Sequence, residues 1–149
     1  MFSPMKKEDV YRRMMHTPDD SVRAELRATL RAAWKQLLPL HRALIDSAGA
    51  EYSESVAPVS GPNHLLQLLQ DDAFFAWLKP LTTLIVDLDS MARTDFERAD
   101  VDEIVRRIES MFGTNADTEF AQRYVPVMQR DVDVAIAHAA IRQLVMKLT

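Results

Sequence analysis

The apolar positions from Asp71 to Met91 recur with the spacing of a helix. Six of them follow one another at intervals of 3, 4, 3, 4 and 3: Phe74, Trp77, Leu81, Leu84, Leu88 and Met91. This spacing predicts a helix with one wide apolar face, which requires other elements packed around it. Because Pro80 has no N–H, we expect it to bend this helix or to restart it with Pro80 in the first turn.

A longer periodic segment follows residues 17–20, Thr-Pro-Asp-Asp, which combine a capping hydroxyl with a proline suited to the first helical position. Apolar residues then recur every three or four positions: Val22, Leu26, Leu30, Ala33, Leu37, Leu40, Leu44 and Ala48. We expect this helix to end at Gly49 as its C-terminal cap, and Pro39 to kink or split it near Leu38. Residues 50–62, rich in Ser and Pro, are predicted to form the longest loop.

Four further helical segments complete the pattern. They are predicted at residues 5–15, at 63 to about 70, from Thr94 or Asp95 to Phe112, and from about Thr118 or Pro126 to Lys147. Only three glycines occur in the chain, which argues against a turn-rich β architecture. The sequence therefore predicts an all-α fold, one helical domain over residues 1–149. We expect a bundle of about five helices with bends near Pro39, Pro80 and Pro126.

The last predicted helix is apolar on two sides. One row, at intervals of seven, comprises Val127, Val134, Ile141 and Leu148. A second row, Met128, Val132, Ala135 and Ala139, lies roughly a third of a turn away. Such a helix is either central to its own bundle or covered by a partner. Both alternatives stay open, and the first row is our predicted contact with a protein partner or a second copy.

Composition narrows the function classes. The chain has 149 residues, 27% of them charged, a net charge of −4 and no cysteine. The absence of cysteine removes thiolate catalysis and cysteine-ligated metals, and the acidic balance predicts no general attraction for nucleic acid. The N-terminal residues contain no continuous apolar stretch, and Lys79, Asp87 and Asp89 interrupt the apolar segment. We therefore expect a cytoplasmic protein without a membrane span.

Basic residues form a row at every fourth position: Arg23, Arg27, Arg31 and Lys35. Like charges at this spacing repel slightly, so the row needs solvent or opposite charges. One interpretation is a solvated face paired with the acidic segment around Asp95–Glu103. The other is a face that docks an acidic protein or a phosphate-bearing ligand, for which Arg23, Arg27 and Arg31 are the candidates.

The four histidines, His16, His41, His64 and His138, lack the spacing of a metal site on a helix. We therefore predict no metal and no cofactor, and expect histidines that hydrogen-bond to a neighbour. Asp89 has Arg93 four positions later and is predicted to pair with it. No catalytic signature is present.

Three functional hypotheses follow. The first is a non-catalytic bundle that acts through protein–protein contact, including contact between two copies. The second is a small-molecule pocket near the Pro39 and Pro80 bends, because proline leaves carbonyl groups without helical donors there. Its candidate lining is Trp34, His41, Trp77 and Asp89. The third and weakest is a metal-dependent or hydrolytic enzyme that uses His41 or His138 with Asp89.

Overall fold

A computed structural model describes residues 20–149, so the predicted helix at 5–15 and most of the predicted helix start at 17–20 lie outside the described residues. The described part contains six α-helices, one 3₁₀ helix and no strand. The α-helices are α1 (Asp20–Ser55), α2 (Pro62–Asp71), α3 (Lys79–Arg93), α4 (Arg98–Phe112), α5 (Glu119–Arg130) and α6 (Val132–Leu148). The 3₁₀ helix is Ala73–Leu78. The predicted all-α bundle is confirmed.

Helix α1 is the centre of the bundle. Its predicted apolar row is buried from Leu26 to Ala48, and its most extensive contacts are with α6 and α3. Helices α3, α4, α5 and α6 supply the rest of one continuous apolar core. Leucines dominate this core, while two aromatic rings of α5 and one of α4 fill its far end: Phe120, Tyr124 and Phe112.

The end of α1 departs from the prediction. The helix continues past Gly49 to Ser55, so Gly49 is not its cap and only residues 56–61 connect α1 to α2. Gly49 is buried, and a Cβ there would lie 3.3 Å from Cδ1 of Leu65 in α2. The missing Cβ thus leaves room for the Leu65 side chain of α2, and Gly49, whose φ is not positive, does not form a turn.

The three prolines act differently from one another. Pro39 lies on an exposed position inside α1, and the helix runs through it rather than splitting there. Pro80 lies in the first turn of α3, which follows the 3₁₀ helix, so the predicted restart is confirmed. Pro126 lies inside α5. The helical run is interrupted five residues later, at Asp131, between α5 and α6. The predicted last helix is therefore two helices.

Two arginines complete helix ends from neighbouring elements. Arg27 of α1 donates from Nη1 to the carbonyl oxygens of Ala92 at 2.7 Å and Thr94 at 3.0 Å, at the end of α3. Arg98 of α4 donates from Nη2 to the carbonyl oxygen of Leu148 at 2.6 Å, at the end of α6. Carbonyls in the last turn lack helical donors and carry partial negative charge, so a guanidinium there is favourable. Within residues 20–149, no helix combines the length and apolarity needed to cross a membrane.

Candidate functional site

Helix α6 has one face inside the core. Val134, Ala137, Ile141, Val145 and Leu148 are all buried, and on α5 so is Val127. The predicted contact row, Val127, Val134, Ile141 and Leu148, thus packs within its own chain. Because these four residues are buried, they are not available as an interface. Of the two interpretations of this row, core packing rather than partner contact is the one that the fold supports.

The opposite face of α6 is exposed and uncharged. Its six residues, here called the α6 outer stripe, are Val132, Ala135, Ile136, Ala139, Gln143 and Met146. At about 100° per residue they occupy an arc of about 100° centred nearly opposite the buried face. Val132, Met146 and Ile136 are 73%, 70% and 63% exposed, the three most exposed large hydrophobic side chains of the described residues.

A shallow groove extends the stripe toward α5. The groove has a volume of about 320 Å³. It is lined by Met128, Gln129, Arg130, Asp131, Val132, Ala135, Ile136 and Ala139. Asp131 sets its shape, because it ends α5 and its carboxylate accepts a hydrogen bond from the N–H of Val134 at 3.2 Å as the N-cap of α6. The second apolar row predicted from the sequence therefore lines an accessible surface.

The two flanks of the stripe differ in their charged residues and in their contacts with other helices. On one flank, Asp133 and Lys147 are exposed in the first and last turns of α6. On the other flank, Arg142 makes an ion pair with Glu109 of α4, with 2.6 Å between Nη1 and Oε1. His138 also lies on this second flank, where it contacts α5. The first flank is thus the one without an interhelical ion pair among the residues described.

His138 joins α6 to α5. Its Nδ1 lies 2.8 Å from the hydroxyl of Tyr124, and the two rings stack with centroids 5.6 Å apart. Burial, with a smaller contribution from the Arg142 guanidinium, lowers the pKa of His138. Burial raises the pKa of Tyr124. Both groups are therefore held neutral at pH 7, as a hydrogen-bonded pair between the two helices.

The predicted ligand residues do not share any of the described cavities. His41 hydrogen-bonds through Nε2 to the Thr82 hydroxyl at 3.0 Å, and burial lowers its pKa. Asp89 pairs with Arg93 at 3.0 Å, as predicted. Trp34 is half-buried against the core. Only Trp77 lines a described cavity, of about 540 Å³ between the end of α1 and α5, and that cavity lies beside Pro126 rather than Pro39 or Pro80.

The basic row separates into different environments. Arg27 is engaged at the end of α3 and its guanidinium lies 5.2 Å from the centre of the Phe96 ring. Arg23 is half-buried, and its Nε has no hydrogen-bond acceptor among the described residues. Arg31 and Lys35 are exposed. The acidic segment instead forms ion pairs with its own arginines, Arg98 with Asp102 and Arg106 with Glu103. None of the ion pairs among the described residues joins this segment to the basic row, although one interpretation of the sequence predicts such pairing.

Sequence reasoning missed Ile136 and Met146 as members of the exposed face. The signal was available, since residues 132, 136, 139, 143 and 146 are separated by 4, 3, 4 and 3 positions. This is the spacing of a coiled-coil seam. It was masked by the stronger apolar row on the other side of the same helix.

No group of three or more His, Asp or Glu side chains that could hold a metal ion occurs within residues 20–149. A scan against protein-family models and searches of curated proteins and of solved structures each return no match for this chain.

Proposed function

We propose that this protein acts through protein–protein contact, with the α6 outer stripe as its binding surface. The observation that carries the proposal is the coincidence of exposure and composition there. The three most exposed large hydrophobic side chains of the described residues share one stripe, and that stripe has no charged residue. Isolated surface hydrophobics are ordinary, but a contiguous apolar patch is typical of an interaction site.

The energetics favour a contact of moderate strength. Burying one side chain of this size contributes about 1.5–3 kcal/mol. The stripe offers three such side chains, and the two alanines between them, Ala135 and Ala139, let a partner helix approach closely. Part of this gain offsets the loss of translational and rotational freedom. A partner that presents its own apolar helix face meets these requirements best.

Site-specific photo-crosslinking tests the proposal. A benzophenone amino acid replaces Ile136 in one variant and Val86 in a control; Val86 of α3 is also a β-branched, exposed helical residue, 60% exposed. We expect position 136 to give an intermolecular adduct in cell extract and position 86 to give far less. Equal yields from the two positions would contradict the proposal. An intramolecular adduct, from position 136 to another part of the same molecule such as residues 1–19, would also contradict the proposal.

A second candidate function rests on the cavity that Trp77 lines. Glu51 and Glu54 of α1 and Arg123 of α5 line it, together with the apolar ring of Trp77. Pro126 leaves the carbonyl of Gln122, in the same lining, without its helical donor. This combination suits a small ligand with an ammonium and a carboxylate group.

A panel of free amino acids tests this candidate. We expect a ligand that binds here to raise the melting temperature of the wild type but not of Glu54→Gln. If no amino acid of the panel changed the melting temperature of the wild type, this candidate would be removed.

The enzyme hypothesis gains no support from the geometry. The hydrogen bonds of His41 and His138 go to Thr82 and Tyr124. The carboxylate of Asp89 goes to Arg93. These three groups are thus engaged separately, each by a structural neighbour.

A further inference from the structure

We propose that the occupant of the α6 outer stripe is the same stripe of a second copy, packed antiparallel about a two-fold axis near Ala139. This inference rests on the proposed function and specifies its partner. It is carried by two independent observations, the symmetry of the stripe and the placement of charges along its open flank.

The stripe is symmetric about its middle. Val132 and Met146 each lie seven positions from Ala139, and Ala135 and Gln143 each lie four positions from it. When two such helices run antiparallel, Val132 of each copy comes level with Met146 of the other. Large side chains thus meet at both ends, and the small Ala139 residues meet at the centre, where two helix axes cross most closely. An isologous contact of this kind closes on itself and gives a dimer rather than a fibre.

The charges on the open flank fit only the antiparallel arrangement. Asp133 and Lys147 lie on the same flank and at opposite ends of the stripe. Asp133 lies six positions from Ala139 and Lys147 lies eight positions from it. A two-fold axis at Ala139 therefore brings Asp133 of each copy within about 3 Å, along the helix axis, of Lys147 of the other copy, close enough to form two identical ion pairs. In a parallel pair these residues stay about 21 Å apart, since they are 14 positions apart on a helix that rises 1.5 Å per residue.

The parallel alternative is also disfavoured by like charges. Parallel helices paired along this seam would bring Arg142 of one copy toward Lys147 of the other across the interface. The antiparallel pair keeps Arg142 beside Glu109 of its own chain, with which it already pairs. Exposed ion pairs add little affinity, so Asp133 and Lys147 set the orientation while the apolar residues set the strength.

Charge reversal with rescue tests the inference. Four samples are compared with the wild type by sedimentation equilibrium: Asp133→Lys, Lys147→Asp, an equimolar mixture of the two, and the double variant. Each single reversal places like charges together twice per dimer, and we expect it to weaken the dimer about tenfold. The mixture re-forms both ion pairs between unlike chains, and the double variant re-forms them between like chains, so both should recover wild-type affinity.

The outcomes separate this inference from the proposed function. A dimer whose single reversals weaken it without recovery in the mixture would overturn the antiparallel geometry. A strictly monomeric wild type would overturn self-pairing, while an adduct from position 136 to another protein would leave the proposed function standing. Far-ultraviolet circular dichroism of the single variants controls for folding, since both residues are exposed.

Discussion

Two isoleucines of α6, Ile136 and Ile141, differ completely in their surroundings. Ile141 is fully buried, whereas Ile136 is 63% exposed on the outer stripe. They are chemically identical and lie on one helix, so any difference between them arises from the elements packed around that helix. The same contrast separates Val134 from Val132 and divides α6 into a face that holds the fold together and a face that does not.

This contrast predicts different consequences for stability. Ile141→Ala removes buried methyl groups and leaves a cavity, and we expect it to lower the free energy of unfolding by about 2–5 kcal/mol. Ile136→Ala should change it by less than about 0.5 kcal/mol under monomeric conditions. Urea denaturation at low protein concentration measures both. Similar losses for the two variants would show that the outer stripe is covered within the chain.

The pair of His138 with Tyr124 predicts a pH dependence with a definite sign. Because burial lowers the pKa of His138 below its usual value of 6.5, the unfolded chain takes up the proton first as the pH falls. The contribution of this residue is therefore fully present above pH 6.5 and is lost as the pH falls toward the lowered pKa. We expect the free energy of unfolding to decline below pH 6.5 in the wild type.

The control for this prediction is His138→Asn, whose amide keeps a hydrogen-bonding atom near the position of Nδ1 but does not titrate. The stability of this variant should fall less steeply than that of the wild type over the same pH range. His41, whose pKa is also lowered by burial, contributes equally to both proteins. Parallel declines in the two proteins would assign no role to the His138 pKa.

At the scale of elements, apolar periodicity predicted the helices and proline predicted only some of their limits. The row from Leu26 to Ala48 is buried as expected, because one spacing fits one face of one long helix. The sequence pattern predicts a helix end at Gly49 because glycine is common there. Its actual role depends on Leu65, a contact that no local pattern contains.

The break at Asp131 was missed for a related reason. Asp131 is a good N-cap, but it is the single residue between α5 and α6. The periodic spacing of apolar residues therefore continues from one helix into the next. Which of the two apolar rows of α6 lies inside depends on the position of α1, its main neighbour. Periodicity on α6 alone could not choose between them, and the outer stripe became visible only with the packing.

The cap itself predicts a measurable loss. Asp131→Ala removes the acceptor for the N–H of Val134 and should lower the free energy of unfolding by about 0.5–2 kcal/mol. Asp131→Asn keeps an acceptor oxygen and should retain most of that stability. Thermal denaturation of the two variants measures the difference. If Asp131→Asn lost as much as Asp131→Ala, the carboxylate charge rather than the cap geometry would be responsible.

At the scale of the whole molecule, polar contacts between helices leave one side open. Arg107 of α4 pairs with Asp87 of α3 at 2.7 Å, and Arg142 pairs with Glu109. Arg130 at the end of α5 donates to the Ser47 hydroxyl at 2.8 Å. These contacts join helices around the core without covering the outer stripe. The architecture thus packs one face of α6 against the core and exposes a face without charges.

Self-pairing through the α6 outer stripe is tested by the molecular mass in solution of three proteins over a range of concentrations. With increasing concentration, the measured mass of the wild type should rise from that of one chain toward that of two chains. Ile136→Glu should stay at one chain with an unchanged melting temperature at low concentration, and Gln143→Leu should dimerise at lower concentration than the wild type, because it removes the one polar residue of the stripe. A dimer that forms equally well in all three proteins, or a single-chain mass for all three at every concentration, would contradict self-pairing through the α6 outer stripe.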